Sequence, residues 1–173
     1  MKTFKSISKL VLVALTVVLS SCSKDDDNAA PAPATPSGSY ITAKVDGADF
    51  SSIIFGVSTA TANRIGTGQD LLITVLGGDL ASNSISINLL GISAPGTYPL
   101  NPSLDGTTIG YVSSGAATSW DTGNCDASGT LTITTLDNTK IEGTFSYVGK
   151  DGENCTAAGK NITNGSFRGV FVN

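Results

Sequence analysis

The groups in this chain that could do chemistry are few, and what is missing decides as much as what is present. Of its 173 residues none is histidine and three are cysteines. Without an imidazole there is no base to set beside a serine or cysteine nucleophile, and no nitrogen ligand for zinc. Ser-His-Asp, Cys-His and His-bound metal hydrolase arrangements are therefore excluded. Paired carboxylates or a Ser-Lys dyad remain, but a glycosidase needs two acids at fixed separation in a cleft. Glu142 and Glu153 are the only glutamates, and Glu142 falls on the polar face of a strand pattern. The chain reads as a non-enzyme that calls for no cofactor.

One segment still has the make-up of a contact site, Trp120-Asp121-Thr122-Gly123-Asn124-Cys125-Asp126. An aromatic ring beside short polar side chains suits stacking on a sugar face with hydrogen bonds to hydroxyls. A weak calcium site from Asp121, Asn124 and Asp126 is the other chemistry those residues offer, yet their spacing matches no calcium loop and no metal is assigned. The plain structural reading has Trp120 capping the core while the acids solvate a turn. If the segment binds, Trp120, Asp121, Asn124 and Asp126 are the residues that do it, and the partner is a glycan or a protein.

The three cysteines divide into one and two. Cys22 closes Leu19-Ser20-Ser21-Cys22 behind Lys2, Lys5, Lys9 and the apolar run from Leu10 to Leu19. About ten helical residues rise only ~15 Å, half the hydrocarbon thickness, so this is a signal h-region and not a span. Small residues before a thiol that accepts lipid make residues 1–21 a lipoprotein signal peptide and Cys22 the lipidation site, with palmitate among the acyl chains that hold the protein on the membrane. The alternative is an ordinary secretory signal in which Cys22 is incidental. Cys125 and Cys155 are then an even pair in an exported domain, which predicts a disulfide. If the flanking strands form a hairpin around Asp137-Asn138, their outer ends bring the two thiols together.

Residues 22–39 follow as a flexible acidic and Pro-rich tether: Asp25-Asp26-Asp27, then Ala, Pro and Ser, a composition that cannot pack a core. Without the three signal lysines the chain carries 7 basic against 14 acidic residues, a net of −7. Arg64 and Arg168 stand alone, so nucleic acid, which needs clustered cations, is not a partner.

What must position the contact segment is an all-β domain over residues 40–173. Ile41, Ala43 and Val45 oppose Thr42 and Lys44; Ile85, Ile87 and Leu89 oppose Ser84, Ser86 and Asn88; Leu131 and Ile133 oppose Thr130, Thr132 and Thr134. Asp46-Gly47 marks a two-residue hairpin, because type I′ turns need positive φ at both central positions. Leu71 to Leu76 is more uniformly apolar and is expected to lie between two covered faces. About eight to ten strands predict an antiparallel β-sandwich or flattened barrel, with a lipocalin-like closed barrel as the alternative. A triplet recurs at Gly96-Thr97-Tyr98, Gly143-Thr144-Phe145 and Gly165-Ser166-Phe167. It puts glycine and ring on one face of a strand, as core architecture. The other reading is a cavity lined by Tyr98, Phe145, Tyr147, Phe167 and Phe171.

Two resemblances follow from these residues. Lys24 and the acids behind Cys22 resemble the export signal that sends Bacteroidetes lipoproteins to the outer face of the outer membrane; the alternative address is the periplasmic leaflet. Ile41 to Gly47, Gly96-Thr97-Tyr98, Ser128 to Thr134, Ile141 to Tyr147 and Ile162 to Phe167 together look like a Bacteroidetes lipoprotein family described only as a domain of unknown function. That resemblance implies an all-β fold and carries no catalytic residues. The expected role is a binding or interaction module, with a carrier of a small apolar ligand or a structural envelope component as alternatives.

Overall fold

The structure, a computed structural model, describes residues 37–172 except 105, 117 and 118. The signal at 1–21, Cys22 and nearly all of the tether lie outside the described residues. Thirteen strands follow in chain order: β1 (Tyr40–Val45), β2 (Ala48–Ser51), β3 (Ile53–Ile54), β4 (Val57–Ser58), β5 (Thr61–Ile65), β6 (Leu72–Gly78), β7 (Ser84–Leu90), β8 (Gly96–Leu100), β9 (Thr108–Val112), β10 (Ser119–Asp121), β11 (Ser128–Leu136), β12 (Lys140–Asp151) and β13 (Lys160–Val170). The count exceeds ten because β3, β4 and β10 have two or three residues, too few to register as alternation.

The fold is all-β and antiparallel, as the patterning predicts. Eleven strands make one curled sheet, a half-barrel, in the order β2-β1-β13-β12-β10-β9-β7-β6-β5, with β11 on β12 and β8 on β11. β3 and β4 pair only with each other. The ladder ends at β2 and β5, so hydrogen bonds do not close it into a barrel. Instead the curl brings β5 and β6 against β13 and β1. The bend has a local cause. β13 carries an extra residue relative to both neighbours, between Ile162 and Gly165 against β12 and between Thr163 and Ser166 against β1, with Asn164 at φ +52°. β11 carries another between Ile133 and Thr135. Such bulges kink a strand and increase its twist.

The alternating residues named above are buried as their pattern requires, on the inner face of the curl. Asp46 and Gly47 take φ +49° and +88°, the two positive values of the expected turn. The uniform apolar stretch behaves differently: Leu71, Ile73 and Val75 are buried while Leu72 and Leu76 face solvent. Only one of its faces is covered. Leu72 lies in register between Ile65 and Leu90, so the three shield one another across the outer face.

The glycine-aromatic triplets are core architecture. Gly143 stands opposite Phe167 and Gly165 opposite Phe145 across β12 and β13, each ring lying where the glycine has no side chain. Tyr98 folds back over its own Gly96 instead, and its hydroxyl donates to the Ala94 carbonyl at 2.8 Å. Phe145, Tyr147, Phe167 and Phe171 are all buried in one apolar cluster. They pack there as core side chains.

Candidate functional site

The contact segment is built on a short bridge between the two wings of the sheet. β10 pairs with β9 on one side and with only the last two residues of β12 on the other, Trp120 opposite Asp151 and Asp121 opposite Lys150. Immediately beyond it Cys125 and Cys155 form a disulfide with their Cα atoms 5.5 Å apart. The geometry is that anticipated from the hairpin: β11 and β12 pair around Asp137-Asn138, and the bridge joins their outer ends. Closing a 30-residue separation stabilises by ~3–4 kcal/mol on the chain-entropy model.

Three of the four contact residues come together, and their polar groups are mostly committed to the loop. Asp121 accepts from the Gly123 N–H at 2.9 Å and from the Asn124 side-chain amide at 2.9 Å. Asn124 in turn covers the space above Gly152. Asp126 is exposed and reaches Lys150 at 3.3 Å. Asp121 and Asn124 thus fix the turn that carries Trp120.

Trp120 itself is half-buried, 6.1 Å from the ring of Tyr111. The ammonium of Lys160 stands 5.4 Å from the tryptophan centroid and at the same time 2.8 Å from Asp46 Oδ2. A cation held between a ring face and a carboxylate is favoured on both counts. The Lys160 hydrogen bond, helped by the Asn161 N–H, holds the Asp46 carboxyl below the usual carboxylate range, and the same bond raises Lys160. Beside this group opens a cleft of about 270 Å³ lined by Asp46, Asp79, Asn83, Tyr111 and Lys160 among others. Its rim carries the Lys160–Asp46 pair, Asp79 bonded to the Asn83 backbone and side-chain amide at 2.9 and 2.8 Å, and the edge of Tyr111, so a polar ligand would share groups that already have partners within the protein. Asp46 is legible in the sequence only as a turn residue, and Lys160, Asp79 and Asn83 not at all; Lys160 meets Asp46 through the β1–β13 register.

A second polar surface also depends on register. Thr97, Thr132, Thr144, Ser166, Thr42 and Ser51 stand directly opposite one another in turn across β8, β11, β12, β13, β1 and β2. At strand spacing the row spans ~24 Å. The Thr97 and Thr132 hydroxyls bond each other at 3.2 Å. The only sequence trace of this row is the polar half of each alternation.

A family model covers nearly all of the described domain: Domain of unknown function (DUF6252), matching residues 40–172. The chain belongs to that family. No curated protein and no solved structure matches the chain. The DUF6252 match assigns no chemistry to the residues it spans.

Proposed function

We propose that this DUF6252 chain is a lipoprotein held on the outer membrane through Cys22, facing the exterior, and that its β domain is a non-enzymatic binding module for a glycan or protein partner. The anchor reading rests on the lipobox at Leu19 to Cys22 and the acids behind it. The binding reading rests on one observation above all, the Lys160 ammonium poised between Trp120 and Asp46 at the edge of an open cleft. A packed interior favours such surface recognition over carriage of an apolar ligand inside the half-barrel.

Two measurements test the two parts separately. Intact mass of the membrane-extracted protein should show acyl chains on residue 22, and Cys22→Ser should release a folded chain that keeps the Cys125–Cys155 bond. Titration calorimetry against envelope polysaccharides and candidate surface proteins should give heat with the native chain that falls tenfold or more in affinity for Trp120→Ala and Lys160→Ala. No heat with any of them overturns the binding module.

A further inference from the structure

We infer that the β3–β4 hairpin, together with the turn joining β6 and β7, forms an apolar tip that rests on the lipid surface. The inference depends on the anchor reading above and adds to it which part of the domain meets the bilayer.

The hairpin is shaped for display. Ile54 pairs with Val57, and the two residues between them, Phe55 and Gly56, have φ +50° and +81°. That turn is comfortable for Asn-Gly, while a bulky residue in the left-handed region is strained. Phe55 occupies it nonetheless and is 90% exposed, with Val57 at 68% and Leu80, from the adjacent turn, at 70%. These side chains give the core nothing. Phe55, Leu80, Ala81, Ile53 and Ile54 surround a groove of about 330 Å³, a contiguous apolar patch of the kind that marks a contact surface.

Charge and chain path identify the occupant. No lysine or arginine lines the groove. The two acids that border it are already engaged, Asp49 by Lys44 at 2.7 Å and Asp79 by the Asn83 backbone and side-chain amide at 2.9 and 2.8 Å. Such a tip has no attraction for an anionic headgroup and suits a zwitterionic lipid. The Ser58 hydroxyl, at the base of the hairpin, donates to the carbonyl of Ser39. The chain leading back to Cys22 therefore leaves the domain beside β4, and Phe55 lies only ~10 Å of strand further out. The tethered chain thus joins the domain on the side that carries the tip, and contact with the bilayer there shields Phe55, Val57 and Leu80 from water.

The test uses the full lipidated chain carrying Phe55→Trp, reconstituted in phosphatidylcholine vesicles with brominated acyl chains. Position 55 is exposed, so folding is checked by circular dichroism and the intact disulfide. The emission added over that of native Trp120 should shift to the blue and lose at least half its intensity to bromine. A chain that floats with the vesicles but emits unquenched from position 55, unshifted where the ring is bare or blue-shifted where a protein covers it, overturns this inference and leaves the anchor intact. A chain without acyl mass that fails to float overturns the anchor reading, and this inference with it.

Discussion

Phe145 and Gly165 stand directly opposite one another across β12 and β13, and two positions away Gly143 and Phe167 repeat the pair with roles exchanged. The rings lie 6.2 Å apart, tilted by 50°. A Cβ on residue 165 would sit 2.5 Å from Phe145 ring carbons, closer than packed atoms approach. Gly165→Ala should therefore destabilise by ~1–3 kcal/mol, read as a lower urea midpoint at unchanged slope. Phe145→Leu in the same chain should return part of that loss. Equal, additive losses would show that the two positions do not share one space.

Tyr147 carries the opposite expectation. Its hydroxyl is buried with no hydrogen-bond partner among the described residues, and burial pushes the phenol well above its ordinary value. Tyr147→Phe removes an uncompensated polar atom and keeps the ring, so it should raise stability by ~1 kcal/mol. A drop in the denaturation midpoint would mean that the hydroxyl has a partner.

The disulfide is a separate contribution. Reducing Cys125–Cys155, or replacing both residues by serine, should lower unfolding free energy by ~3–4 kcal/mol. Chemical denaturation with and without reductant measures it, and a loss below ~1 kcal/mol would place little of the fold's stability at this joint.

Acid and base should each weaken the Asp46–Lys160 pair. Asp46 is held below its ordinary 3.8, so its contribution is complete above that value and fades as pH falls through the lower folded one. Lys160 is held above 10.5, so its share is complete below that and is lost as pH rises through the folded value. Both side chains are a third or more exposed, which limits the effect to under ~1 kcal/mol. Asp46→Asn should flatten the acid limb of a stability profile in part, because Glu142 and Asp137 are also held low. An unchanged limb between pH 2 and 5 would assign acid sensitivity entirely to those two.

Phe55→Asn should raise the unfolding midpoint slightly, by up to ~1 kcal/mol, since it installs the Asn-Gly pair that a type I′ turn prefers. In the same lipidated variant the β3–β4 tip should cross-link far less to an acyl-chain probe in phosphatidylcholine vesicles, while the chain stays anchored. A fall in stability would show that the ring has a structural role after all.

How far the molecule could be read from its residues follows the reach of each signal. Alternation at Ile41 to Val45 and Ile85 to Leu89 is local and placed strands and faces correctly. The Asp46-Gly47 turn was visible because it depends on two residues only. At Leu71 to Leu76 composition misled: Leu72 and Leu76 point to the uncovered face of the sheet, where Leu72 lies between Ile65 and Leu90 and Leu76 between Thr61 and Ser86, a fact of pairing that no window of six residues contains. The site shows the same division. Trp120 stood out by type, whereas Lys160 and Asp46, which give its surroundings their charge, are distant in the chain and meet only through the β1–β13 register.

That register also has a temporal consequence. The first strand of the domain pairs with the last, and β12 is the element on which both wings of the sheet converge. The β6–β7 hairpin can close early, but β1 has no partner other than β2 until the final segment arrives. Contacts so distant along the chain cost loop-closure entropy before they return any burial, and they slow folding. Completion is deferred to the last strand, so a chain that stops before Lys160 holds most of its core residues but lacks the strand that joins β1 to β12.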